Sequence, residues 1–132
     1  CYPLTTGGSC MHSALLVATG GAIGALGRWA IGSFSASTAF PWATLGINLI
    51  GSLLLGGLAA AFSSGSISKD TVLLLGVGFM GAFTTMSTYS FEVVEMGGSG
   101  AFGALGAYVV VTSLGCPLLA FLGWRGMSLL IS

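Results

Sequence analysis

The stretch that decides the fold is Gly78-Phe79-Met80-Gly81-Ala82-Phe83-Thr84-Thr85-Met86-Ser87-Thr88-Tyr89-Ser90-Phe91-Glu92. An apolar run, Val72 to Phe79, leads into it, and five Ser and Thr residues then fall within the seven positions from Thr84 to Ser90. Hydroxyl side chains offer the backbone an alternative to helical hydrogen bonds, so they permit a helix to open. Irregular backbone at membrane depth survives only where protein or a wet cavity covers it. The stretch therefore predicts a membrane helix broken near its middle, with an ion site of carbonyls and hydroxyls at the break. The plainer alternative is a hydroxyl-rich helix hydrogen-bonded to a neighbour.

The rest of the chain agrees with a lipid setting. Only Arg28, Lys69, Asp70, Glu92, Glu95 and Arg125 are charged among 132 residues, and 55% are hydrophobic. A soluble surface usually carries about 25–35% charged residues. The net charge of zero leaves no basic face for nucleic acid. The 23 glycines show no three-residue period, which excludes collagen; in apolar segments they let helices approach closely.

The expected fold is an all-α membrane protein, one domain over residues 1–132 with spans at about 13–34, 42–62, 71–95 and 101–122. Each has roughly the 20 apolar residues that a bilayer requires. Arg28, followed by Trp29, sits near the far end of the first span and can snorkel to the interface. The fourth is expected to bend near Cys116-Pro117 and to end at Trp124-Arg125. Four spans place both termini and the Ser63 to Asp70 loop on one side. That side holds Lys69 and Arg125, and the other holds Arg28. So small a difference gives little orientation preference, and such a chain could insert both ways. No internal repeat is visible, so an inverted-repeat architecture would need two oppositely inserted copies.

Two polar stripes accompany the break. Thr44, Asn48 and Ser52 recur every fourth residue and share one helix face. Asn48 lies deep in an apolar span, where a polar residue reads as functional, and its amide donates two hydrogen bonds, which suits an anion. Tyr108, Thr112 and Cys116 form a second such stripe. Interhelical hydrogen bonding is the plain account of the first; an interfacial tyrosine with a threonine bonded back to its own helix is the plain account of the second. Aromatic rings and sulfur cluster near the break at Phe79, Phe83, Met86, Tyr89 and Phe91. Ring edges are positive and can face an anion, although such a stripe alone usually means packing.

Other chemistries find little support. Gly20, Gly21, Gly24 and Gly27 imitate a nucleotide loop, but no strand precedes them and no acidic residue follows at about 20 positions. Gly20 and Gly24 read instead as a GxxxG helix contact. His12 has no nearby acid or nucleophile, and no catalytic triad or deep carboxylate pair can be assembled, so no enzyme is expected. Cys1, Cys10 and Cys116 contain no CxxC pair and with one histidine make no metal site. Cys1 and Cys10 could form a disulfide or carry a lipid. The N-terminus lacks the basic leading region of a signal peptide.

Three ordered pieces of this chain resemble the Fluc (CrcB) fluoride channels. One is the Gly78 to Glu92 stretch. The second is Gly20-Gly21-Ala22-Ile23-Gly24-Ala25-Leu26-Gly27-Arg28-Trp29. The third is Thr44-Leu45-Gly46-Ile47-Asn48-Leu49-Ile50-Gly51. The resemblance covers about residues 19 to 117. It implies an antiparallel, dual-topology homodimer of four-helix subunits in the plasma membrane, with two fluoride pathways and a central structural sodium ion. It implies that backbone carbonyls of Gly81 and Thr84 from both subunits hold the sodium, and that Asn48 donates to fluoride. The implied fluoride pathway takes in Thr44, Ser52, Phe83, Met86, Ser87, Thr88, Tyr89, Tyr108, Thr112 and Cys116. Arg28 falls near the structural core of the mouth and Glu92 near a vestibule.

The chain departs from the family at three points. Cys116 replaces the usual hydroxyl, and Met86 and Tyr89 replace the usual phenylalanines. Tyr89 keeps a ring edge and adds a hydroxyl, whereas Met86 keeps bulk and polarizability without a ring edge. This leaves room for a heteromeric partner that carries the usual pair.

The function so implied is passive fluoride export that protects the cytoplasm. Hydroxyls and an Asn amide can replace the water of a strongly hydrated anion without the full charge that would trap it. A small multidrug-type proton-coupled transporter is the first alternative, but it needs a carboxylate inside the membrane, and the first span offers none. A non-transporting accessory subunit is the second.

Overall fold

The computed structural model describes residues 7–34 and 40–131. These residues form helices joined by short turns, with no strand among them. In chain order they form α1 (Gly7–Phe34), α2 (Trp42–Ser63), α3 (Lys69–Thr71), a π-helical segment (Val72–Met80), α4 (Gly81–Phe83), α5 (Met86–Gly98) and α6 (Phe102–Leu130). Four stretches are long and apolar enough to cross a membrane: Cys10–Phe34, Trp42–Ser63, Lys69–Gly98 and Phe102–Leu130. The chain is thus a multi-pass membrane protein.

The fourth helix extends beyond the expected span. It runs on to Leu130, with Trp124 and Arg125 inside it, and it passes through Pro117 without interruption. Ring closure removes one N–H there, a loss that membrane helices tolerate when neighbours restore the freed groups.

The connections close by backbone geometry. After α2, Gly65 adopts φ 76°, so that its N–H reaches Phe62 O and the Ser66 N–H reaches Ala61 O. After α5, Gly100 repeats the arrangement with φ 76°, pairing to Gly97 O while Ala101 pairs to Met96 O. Both are Schellman motifs, which satisfy end carbonyls through a left-handed residue that glycine adopts at no steric cost. Ser68 caps α3 by accepting the Thr71 N–H at 3.2 Å. His12 meets Asp70 at 3.1 Å, tying α1 to α3.

Two helix pairs build the fold. α1 lies against the π-helical segment, and α2 lies along α6. In lipid these contacts gain little from the hydrophobic effect, so close packing must hold them. At Gly20 an added Cβ would strike the Leu74 carbonyl, and at Gly24 the Phe79 carbonyl. The GxxxG face is therefore a backbone-to-backbone contact. α2 and α6 repeat the device: a Cβ on Gly56 would strike Ala120 O, and one on Gly123 would strike Leu53 O.

The buried core lies at the other end of the α2–α6 pair. Leu45, Tyr89, Met96 and Tyr108 are buried together, with Phe40, Leu49, Val93, Leu105 and Val109 around them. Tyr108 is wholly buried. The core brings α5 against both α2 and α6, and so sets the chemistry below the break.

Candidate functional site

The site begins where helical geometry stops. Thr84 (φ −73°, ψ 153°) and Thr85 (φ −147°, ψ 117°) are extended between α4 and α5. The local sequence explains this. Thr84 Oγ1 bonds back to Met80 O at 2.9 Å, and Thr85 Oγ1 caps α5 by accepting the Thr88 N–H at 3.1 Å. Thr85 Oγ1 also donates to Thr88 Oγ1 at 3.0 Å and lies 3.2 Å from Ser87 Oγ. A Thr at an N-cap typically contributes about 1 kcal/mol. Just upstream the turn is already wide: the Gly81 N–H reaches Gly76 O, five residues back. Such π geometry is rare and gathers at functional sites.

Asn48 closes the opening from α2. Its Oδ1 accepts the Thr85 N–H at 2.8 Å, and its Nδ2 donates to Thr85 O at 3.0 Å. One side chain thereby satisfies both backbone groups of a buried residue that has left the helix. Ser52 donates to Asn48 O at 2.7 Å. On the side toward α1, Arg28 Nε donates to Ala82 O at 3.1 Å. Arg28 therefore turns inward to the break rather than outward to the membrane interface.

These pairings release two carbonyls. In a continuous α-helix Gly81 O would accept from the Thr85 N–H, and Thr84 O from the Thr88 N–H. Here the first donor goes to Asn48 and the second to Thr85 Oγ1. No described residue donates to either carbonyl in their place. Gly81 lies at the subunit surface. Uncharged carbonyl oxygens freed in this way are the donor type that a hard cation such as sodium takes.

A second knot lies one helix turn from Asn48 along α2. Thr44 Oγ1 donates to Glu92 Oε1 at 2.7 Å, and the Tyr108 hydroxyl donates to Glu92 Oε2 at 2.6 Å. Glu92 thus joins α2, α5 and α6 through charge-assisted bonds. Phe40 meets the Tyr108 ring edge-on at 5.6 Å, and the Tyr89 ring lies 5.1 Å away on a tilt of 55°.

Two cavities meet at Thr85. The larger, about 830 Å³, is lined by Arg28, Thr44, Thr85, Thr88, Glu92 and Glu95, among others. The smaller, about 340 Å³, is lined by Asn48, Ser52, Thr84, Thr85, Met86, Tyr89, Thr112 and Cys116 with a few neighbours, and by no charged side chain. Of its hydroxyls, Ser52 donates to Asn48 O, Thr84 to Met80 O and Thr85 to Thr88 Oγ1, whereas those of Tyr89, Thr112 and the exposed Ser113 donate to no described residue. Asn48 retains one amide N–H. Thr112 Oγ1 is buried with no partner, alone in this among the described side chains.

The structure thus gathers Asn48, Ser52, Met86, Tyr89, Thr112 and Cys116 around one cavity, and Arg28, Thr44, Thr88 and Glu92 around the other. Tyr108 stands behind Glu92. Phe83 is buried, stacked on Phe79 at 5.4 Å and 11°, and lines neither cavity; Ser87 is exposed and lines neither. Cys116 is a free, half-buried thiol. Cys10 is disulfide-bonded, and Cys1 lies outside the described residues. Sequence reasoning missed Thr85 as the hinge of the site. The signal was its place three residues before Thr88, the spacing of an N-cap to its third helical residue. Among the described residues no group of His, Cys, Asp and Glu could hold a metal.

Comparison with known proteins sets this arrangement in a family. A family model described as CrcB-like protein, Camphor Resistance (CrcB), matches residues 15–124. A protein of Thermus thermophilus named fluoride-specific ion channel FluC is 40% identical over 114 residues, which cover 84% of this chain and 90% of that protein. A FluC of Erythrobacter litoralis is 45% identical over 123 residues, 84% of this chain and 89% of its own length. One from Geobacillus kaustophilus, FluC 1, is 42% identical over 118 residues, 87% and 97% respectively. With a family match over most of its length and relatives aligned nearly end to end, this chain belongs to the CrcB family.

Proposed function

We propose that this protein is a fluoride-selective ion channel of the plasma membrane that lets cytoplasmic fluoride leave passively. The observation that carries the reading is the 340 Å³ cavity at the break, lined by no charged side chain, where the buried Thr112 hydroxyl has no protein partner and Asn48 keeps a free amide N–H. Unpaired buried donors are costly to leave unmade, and an anion satisfies them. Neutral donors strip water from fluoride without trapping it as a fixed cation would. The names of the relatives support fluoride as that anion.

Fluoride approaches through the larger cavity, past the Arg28, Thr44 and Thr88 side chains. It passes the turn that Asn48 and Thr85 occupy, and then meets Asn48, Thr112 and Cys116 in turn, with Ser52, Met86 and Tyr89 at the walls. Glu92, held by Thr44 and Tyr108, orients the vestibule wall. Exposed Ser87 completes the pathway against a second subunit, while buried Phe83 supports its wall from behind.

The third span is a broken membrane helix, and the working unit is an antiparallel dual-topology homodimer. The support is physical. Carbonyls of Gly81 and Thr84 without donors cannot face hydrocarbon, and a second copy covers them. The near balance of Arg28 against Lys69 and Arg125 favours insertion in both orientations. Carbonyls of Gly81 and Thr84 from each copy would hold a structural sodium ion. That ion would neutralise the clustered oxygens and fasten the two breaks together.

Proteoliposomes loaded with fluoride or chloride, with an ionophore to balance charge, test the reading. Rapid fluoride loss with chloride retained is expected; equal loss of both ions, or no loss from a folded dimer, refutes it. Replacing sodium by N-methylglucamine on both sides should slow fluoride efflux at least tenfold and lower the melting temperature. Unchanged flux and unchanged melting would remove the sodium site.

A further inference from the structure

We infer that the Tyr89 hydroxyl is itself a fluoride ligand, which makes the cavity at the break hold the ion longer than a bare aromatic ring would. This rests on the channel reading above.

The argument starts from where each nearby hydroxyl donates. Thr44 and Tyr108 give their protons to Glu92. Ser52 and Thr84 give theirs to carbonyls of their own segments, and Thr85 gives its own to Thr88. Tyr89 is different. It is 7% exposed and lines the cavity with Asn48 and Thr112, yet no described residue pairs with its hydroxyl. Only Thr112 among the described side chains has its polar atom shut away without a partner, so the Tyr89 hydroxyl stays open to whatever fills the space beside it. The ring cannot turn away freely, because it packs on Tyr108 at 5.1 Å within the core.

Thr112 supplies the independent observation. It is 6% exposed, its oxygen has no partner, and it lines the same cavity. The Tyr89 and Thr112 hydroxyls, with the exposed Ser113 beside them and one spare amide N–H of Asn48, thus border one cavity that no cation lines. A small acceptor of several hydrogen bonds satisfies these donors, and an anion does so best.

The consequence is kinetic. A hydrogen bond to an ion contributes about 1.5–3 kcal/mol net, so one further donor tightens the site by roughly tenfold or more. Conduction requires that the ion also leave. Tyr89 therefore lowers both the half-saturating fluoride concentration and the maximal rate.

Tyr89→Phe removes the hydroxyl and keeps the ring. In proteoliposomes it should raise the half-saturating fluoride concentration roughly tenfold and raise the maximal efflux rate. A fluorine NMR titration of the purified protein with sodium fluoride should weaken by the same factor. A fall in rate at unchanged half-saturation would mean a packing role only and would overturn the proposal. Identical titrations for the two proteins would also overturn it, leaving the hydroxyl to water. If the wild type passes no fluoride, the channel reading fails, and the titration alone still decides whether Tyr89 binds the ion. Thr112→Val should weaken the same titration and Thr112→Ser restore it; a titration blind to Thr112 would refute the shared site.

Discussion

Asn48→Asp is the sharpest perturbation of this site, because it changes one atom yet turns one donated hydrogen bond into a repulsion and adds a negative charge facing the ion. In the native protein Oδ1 accepts the Thr85 N–H at 2.8 Å and Nδ2 donates to Thr85 O at 3.0 Å. Aspartate keeps the first and replaces the second by an oxygen facing an oxygen. The Thr85 carbonyl then loses its buried partner, at a cost of about 1–3 kcal/mol. The effect on fluoride is larger. A carboxylate about 4 Å from the ion at an effective dielectric near 20 repels it by about 4 kcal/mol, close to a thousandfold in occupancy. The assay is fluoride efflux from proteoliposomes, read with a fluoride electrode, beside gel filtration and thermal melting of the same preparation. A folded variant with a lower melting temperature and efflux reduced about a thousandfold is expected. Efflux within tenfold of the wild type from a folded variant would show that Asn48 neither faces the ion nor supports the break.

Two further perturbations follow from the packing and the polar knot. Gly24→Val places a branched side chain on the Phe79 carbonyl; overpacking of this kind costs about 1–3 kcal/mol, and a lower melting temperature with poor recovery of folded protein should result. Glu92→Gln leaves one acceptor oxygen for two hydroxyls, those of Thr44 and Tyr108; about 1.5–3 kcal/mol of charge-assisted bonding is lost, which thermal melting of the purified variant should register.

Much of this site was legible because membranes impose strict rules on sequence. Thr84 and Thr85 mark the extended turn by their hydroxyl density, and Asn48 stands out because an amide deep in an apolar span needs a reason. The reading of Gly20 and Gly24 as a helix contact also rested on local pattern, and the structure places the Leu74 and Phe79 carbonyls against them. The fourth helix extends past its expected span. Trp124 and Arg125 have the composition of an interface, yet the residues after them remain apolar and the helix continues to Leu130.

What the sequence by itself determined is the medium and the number of crossings, because hydropathy and length are summed locally along the chain. It also determined which polar residues are out of place in lipid. Only the tertiary structure decided which of them are already satisfied. Thr44 and Tyr108 look like donors on an anion track, but Glu92 takes both protons; Arg28 looks like an interface residue, but Ala82 O draws it inward. Tyr89 and Thr112 look no different in the sequence, yet their hydroxyls donate to no described residue. Hydrogen-bond partners come from other helices, as much as 58 positions away, and no local period encodes which neighbour a side chain will meet.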